Sequence, residues 1–149
     1  MKEALNQTER LRFKLTGAIE ADAHAFNDVM TAIKLPHETP EEISQRDLAL
    51  EEAYRKVIEV PLSVMEDVRA LLIPLKSIAE KGNINLVADA GVGVLMAQAA
   101  CEGAKLNVEI NLQSIADAVL KDTTKNRAAK LSEEVKQLSQ EILEIVRHQ

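Results

Sequence analysis

An all-α fold, a bundle of long antiparallel helices, is what this sequence predicts, and three observations carry that expectation. Aromatic residues make up only 2% of the 149 residues, namely Phe13, Phe26 and Tyr54. The core must then be built from Leu, Ile, Val, Ala and Met, which favours helices over strands. Gly and Pro number only 5 and 4, so turns are few and elements long. Apolar residues recur at steps of three and four, the helical period.

The first helix is expected from about Leu5 to Lys34, with Leu11, Leu15, Ala18, Ala21 or Ala25, Val29 and Ile33 on one face. Pro36 ends it, because proline cannot continue a helix and pushes Leu35 out of the α region. "TPEE" then reads as a capping box, with Thr39 as N-cap, Pro40 at the first helical position and Glu42 at the third. The second helix carries Pro61 as a kink or short break and Pro74 as a second weak point. "KGN" stops it, with Gly82 expected as a left-handed cap. The third helix is expected to run to about Leu120, with Asp89 near its start. "KDTTKN" reads as a polar turn. The last helix places Ala128, Leu131, Val135, Leu138, Ile142 and Ile145 on a heptad seam, either one edge of the bundle or a partner-binding surface.

Charge narrows the function classes. The net charge is −6, with both signs interleaved and no basic face, so no nucleic-acid partner is expected. Cys101 is the sole cysteine, which excludes a disulfide framework and a thiolate metal cluster. The three histidines are far apart, and no metal site is expected. The N-terminal residues lack the apolar region of a signal peptide. No apolar run is read as transmembrane, so no membrane partner is expected and the protein is placed in the cytoplasm.

Four features stand out chemically. Ala90, Gly93, Ala97, Ala100 and Ala104 form a stripe of small residues, suited to close helix packing or to a groove for a flat ligand. Asn107 and Asn111, four apart, share a face; they could read the edge of a heterocycle or bond a neighbouring helix. Asp89 could touch a ligand or complement the helix dipole. Asp22 sits mid-helix one turn before Phe26, either as a general acid among apolar neighbours or as a half-exposed ion-pair partner.

The series "DAHAFNDVMTAIKLPHETPEE", "VPL" and "GNINLVADAGVGVLMAQAACEGAKLNVEINLQSIAD" resembles the cyclodeaminase/cyclohydrolase family, over about residues 14 to 120. That family includes the C-terminal domain of formiminotransferase-cyclodeaminase and stand-alone methenyltetrahydrofolate cyclohydrolases. The resemblance implies an all-α domain, a homodimer and a tetrahydrofolate derivative bound among the helices, with no cofactor beyond that substrate. It implies one of two reactions. One is closure of 5-formiminotetrahydrofolate to 5,10-methenyltetrahydrofolate with release of ammonia. The other is hydrolysis of the methenyl compound to 10-formyltetrahydrofolate. By resemblance Asp22, the aspartate of D-x-x-A-F, is the proton donor. Asp89, Asn107 and Asn111 match family positions at the folate, and Lys34 and Arg46 match basic positions suited to its glutamate tail.

Two departures temper the match. The family carries an N-terminal Pro-Gly-Gly-Gly-Ser segment and an alanine-rich helix, whereas this sequence opens inside the following helix. The expectation is a single domain over 1–149, N-terminally short. His24 and His37 stand where an acidic and a basic residue are more usual. The competing expectation is a non-catalytic or truncated helical relative acting as an oligomeric binding or interaction protein.

Overall fold

The computed structural model describes residues 2–149. Four long helices account for most of them: α1 (Lys2–Ile33), α2 (Pro40–Lys81), α3 (Val87–Asn111) and α4 (Ala118–His148). No strand occurs among the described residues.

Local sequence explains the boundaries. Thr39 accepts a hydrogen bond from the Glu42 N–H at 3.2 Å, and the Glu42 carboxylate accepts from the Thr39 N–H at 3.0 Å. The expected capping box is therefore formed, with Pro40 at its first helical position. α2 then runs unbroken for 42 residues, about 63 Å at 1.5 Å per residue. Neither Pro61 nor Pro74 interrupts it, contrary to the expected break and weak point. Both side chains are buried against neighbouring helices, and that tertiary packing holds the element across the missing hydrogen bonds.

Two further expectations are corrected. Gly82 caps α2 with an extended backbone, φ −77° and ψ −177°, not a left-handed one. Glycine is needed there because a Cβ would collide with the Ile78 carbonyl oxygen, which accepts the Gly82 N–H. α3 stops at Asn111 rather than near Leu120, and "KDTTKN" lies inside α4. The turn falls instead at residues 112–117, where a single 3-10 turn (Leu112–Ser114) leads to Asp117. The Asp117 carboxylate caps α4 by accepting the Val119 and Leu120 N–H groups at 2.9 and 3.0 Å.

The helices run up, down, up, down. α1 packs along α2 through Ala25 and Val29 against Ala53 and Val57. The main core lies among α2, α3 and α4, centred on Leu62, Met65, Leu72, Val94, Cys101, Val108, Val135 and Ile142. Ala128, Val135 and Ile142 of the heptad seam are buried there, with Leu131, Leu138 and Ile145 packed beside them, so the seam is an edge of the bundle. Ion pairs from α2 to α4 fix their parallel register: Arg127 with Glu66 at 2.6 Å, Lys76 with Glu141 at 2.5 Å, and Arg69 with Glu134.

α3 differs from the others in being apolar nearly all round. Ile84–Ser114 is long and apolar enough to cross a membrane by length and composition, which corrects the expectation that no segment reaches that threshold. One stripe of α3 is a core stripe, with Val94, Cys101 and Val108 fully buried. The opposite stripe is open.

Candidate functional site

The register of the helices decides which motif residues meet. Lys14 pairs with Asp67 at 3.0 Å and Asp28 with Lys56 at 3.2 Å, so Asp22 stands at the level of Pro61. On α3, a Cβ at Gly93 would meet Leu75, and Asn111 meets Val57, so Asn107 also stands at the level of Pro61. D-x-x-A-F, V-P-L and N-V-x-I-N-L thus lie at one height, with α1 and α3 each packed on α2.

Asp22 has a distinctive place on α1. The residues packed toward α2 step by three and four through Leu11, Leu15, Ala18, Ala25, Val29 and Ala32, and Asp22 fills the one vacant step. Ile33 and Ala21, candidates for that face, are exposed instead. Asp22 is a carboxylate in an otherwise small, apolar seam. Its side chain is exposed and makes no hydrogen bond or ion pair among the described residues. Asp28 lies nearby and holds Lys56 firmly protonated, raising the lysine above its ordinary value together with Glu52.

Pro61 explains Asn111. A proline cannot donate to the carbonyl four residues back, so Val57 O lacks its helical partner. The Asn111 amide Nδ2 donates to it at 3.5 Å. Asn111 is half-buried and serves the helix contact, one of the two uses its spacing allowed. The signal was present in the sequence as a buried proline, but its partner is distant in the chain. Asn107, one turn earlier, is exposed and free to face a ligand.

Asp89 is not brought to this level. It lies in the first turn of α3, exposed, eighteen residues from Asn107 or about 27 Å along the helix. Lys34, just past α1, is exposed and about 18 Å from Asp22 along the helix axis. Arg46 is half-buried near the same end of the molecule, with its Nε–H buried and unpaired.

The small stripe serves mainly for packing. Ala90, Ala97 and Ala104 are buried in the core, while Ala100 is exposed. Gly91 rather than Gly93 makes the closest approach, since a Cβ there would sit 3.1 Å from a Val146 methyl. Cys101 lies fully buried within this stripe. Burial pushes its thiol up to about 11, with Glu102 adding to the effect and Lys105 opposing it. Five surface concavities of about 220 to 430 Å³ are lined by other residues than the six candidates.

The fold defines a class: an all-helical bundle with Asp22, Asn107 and Asn111 at the level of one mid-helix proline. Its sequence matches the profile of the formiminotransferase-cyclodeaminase family over residues 1–130. A methenyltetrahydrofolate cyclohydrolase of Methylorubrum extorquens is 36% identical over 147 residues, covering 99% of this chain and 71% of that protein. The formimidoyltransferase-cyclodeaminase of Rattus norvegicus is 39% identical over 123 residues, 83% of this chain and 23% of the longer enzyme. The crystal structure of a formiminotetrahydrofolate cyclodeaminase from Thermotoga maritima superposes with a TM-score of 0.80 and 26% identity. That match covers 94% of this chain and 66% of the other. The chain belongs to the formiminotransferase-cyclodeaminase family.

Proposed function

We propose that this chain is a folate one-carbon enzyme, acting as a cyclodeaminase or as a methenyltetrahydrofolate cyclohydrolase. The observation that carries the reading is the identity of 36% to a cyclohydrolase over almost the whole chain, with Asp22 and Asn107 at the level of Pro61. A tetrahydrofolate derivative is the substrate, a homodimer the working form and the cytoplasm the site of action.

Both reactions turn on one carbon held between N5 and N10 of the folate. In cyclodeamination N10 attacks the formimino carbon, and the nitrogen that departs as ammonia must be protonated. In hydrolysis water adds to the methenyl carbon and gives up a proton. The bond to N5 then breaks, N5 takes a proton, and one proton is released overall. A carboxyl group beside that carbon serves either reaction, by donating to the departing nitrogen or by passing the proton from water to N5. Asp22 is that group. Asn107 offers both a donor and an acceptor to the pterin edge. Asn111 holds α3 against α2 and so sets where Asn107 stands. Lys34 and Arg46 lie toward the end of the molecule that an extended glutamate tail would reach, and the unpaired Arg46 Nε–H favours an anionic partner there.

The test is loss of the methenyltetrahydrofolate absorption band on adding purified protein, with ammonia release from 5-formiminotetrahydrofolate alongside. Asp22→Asn is expected to lower the active rate by roughly 10²- to 10⁴-fold, the usual worth of a positioned acid or base. Neither reaction accelerated by the parent chain would sink the reading. The second reading, a non-catalytic relative working as an oligomeric binding protein, is favoured by one observation. Five concavities of the chain are lined by none of the six candidate residues.

A further inference from the structure

Asp22, Phe26, Met30 and Lys34 step by four along α1 and into the turn that follows it. At that step side chains lie one above the next, about 6 Å apart along the axis. A carboxylate, a phenyl ring, a thioether and an ammonium therefore follow one another in line. All four are exposed, Phe26 at 58% and Met30 at 38%. The other two aromatic rings of the chain are engaged. Phe13 has the Arg12 guanidinium 4.6 Å from its ring centroid. Tyr54 packs against both core clusters. Phe26 is the one aromatic ring that is exposed with no cation over it among the described residues.

We propose that Phe26 is the platform on which the p-aminobenzoyl ring of the folate stacks, with Met30 at its edge, an assignment that rests on the folate reading above. The order of groups along the substrate carries the argument. Between the one-carbon atom and the glutamate a folate has a single ring, the benzoyl ring attached at N10. With that carbon at Asp22 and the tail directed to Lys34, the ring passes the residues between them. Bond lengths of about 1.4 Å put its centre about 4 Å from the one-carbon atom, and the γ-carboxylate of an extended glutamate about 12 Å from it. Phe26 stands about 6 Å from Asp22 along the axis and Lys34 about 18 Å, a remainder that the flexible four-carbon stem of the lysine covers.

The pterin lies on the other side of the one-carbon atom and is carried away from Phe26. An offset stack holds a flat ring by its face, and a thioether makes a favourable contact at a ring edge. The two residues one turn apart thus divide the work. Asp22 acts on the carbon, and Phe26 sets how tightly the substrate is held and where along α1 that carbon stops.

The chain contains no tryptophan, so the test has a reporter that needs no catalysis. Phe26→Trp places a single indole at the platform, and Phe13→Trp places one about 20 Å away along α1. 5-Formyltetrahydrofolate, a stable folate with both rings, is expected to quench Phe26→Trp saturably. It should dim Phe13→Trp only in proportion to the exciting light it absorbs. p-Aminobenzoylglutamate should also quench Phe26→Trp saturably, at higher concentration, and tetrahydropterin should not. In kinetics, Phe26→Leu should keep its helical circular dichroism, raise KM about tenfold and leave kcat within about threefold of the parent, the worth of one stacked ring. Phe26→Tyr should restore the parental KM. Asp22→Asn should lower kcat while leaving the quenching of Phe26→Trp in place. An active parent chain with no saturable quenching of Phe26→Trp overturns the proposal. So does quenching by tetrahydropterin, or by neither fragment, or an unchanged KM in Phe26→Leu. A parent chain that accelerates neither reaction, with the quenching intact, sinks the enzyme reading and leaves the platform standing.

Discussion

The two faces of α3 carry nearly the same kind of residue and meet opposite fates. Ala90, Val94, Ala97, Cys101, Ala104 and Val108 step by four and three along the inner face and are buried against α2 and α4. Val92, Met96, Ala99, Gly103, Leu106 and Ile110 step by four and three along the outer face and are exposed. A helix apolar all round is normally covered all round. The difference teaches that burial in this chain is decided by neighbours rather than by composition. The inner face has its neighbours in α2 and α4, and the outer face has none among the described residues.

The sharpest way to break that contrast is to put the same charge on each face. Val94→Asp places a carboxylate at a fully buried position without a partner, and should cost about 4 kcal/mol or more, enough to abolish cooperative thermal unfolding. Met96→Asp should leave the unfolding of dilute protein within about 0.5 kcal/mol of the parent. Far-ultraviolet circular dichroism during heating distinguishes them. Equal losses would mean that the outer face is packed within the single chain.

The contact between α2 and α3 is sharpened by a double-mutant cycle. Asn111→Ala should cost about 1 kcal/mol in denaturant unfolding, because it strips the carbonyl of Val57 of its one side-chain donor. In a Pro61→Ala background the same change should cost close to nothing, since residue 61 then supplies the missing N–H itself. A cost unchanged between backgrounds would show that Asn111 acts elsewhere.

Much of this was legible in the sequence, for reasons that divide by range. The capping box at Thr39, Pro40 and Glu42 is written in four consecutive residues, and the seam of α4 in a repeat that needs no partner to recognise. The end of α3 was not legible. Leu112 and Ile115 are buried core residues that happen to lie in a turn, so the apolar pattern runs on past the true boundary. "KDTTKN" is polar because it is mostly the solvent face of α4's first turns, though Thr124 is buried. Pro61 read as a break because the burial that holds α2 together, and the donor that answers Val57, come from elements distant in the chain. Of the candidate site, Asp22 and Asn107 stand level with Pro61 on α1 and α3, two helices that each pack on α2. The distance of Asp89 from them follows from a helix that stays straight and intact between the two.

Two glycines on opposite faces give a smaller, finer test of the same comparison. Gly103→Ala should stabilise dilute protein by up to about 1 kcal/mol, the propensity difference in a helix interior, because nothing opposes the new methyl. Gly91→Ala meets Val146 at 3.1 Å and should gain less, or lose, as that side chain is pushed aside. Equal gains at both would show that α4 yields freely beneath α3.

Cys101 gives the smallest effect at neutral pH, and one that isolates the inner face alone. Burial raises its thiol from 9.0 to about 11, so the folded state holds the proton more tightly than the unfolded one. The sign follows by linkage: the stabilising contribution is fully present below about pH 9 and is lost as pH climbs toward 11. Stability of the parent chain should therefore fall across that window more steeply than that of Cys101→Ala, while the two pH profiles run parallel from pH 6 to 8, about where neither state of the thiol titrates. Reactivity gives an independent reading. A thiol reagent should label the folded chain at neutral pH only as fast as the inner face opens, and should label the chain in denaturant at once. Labelling of the folded chain as fast as of the denatured one would mean that the inner face is open rather than buried.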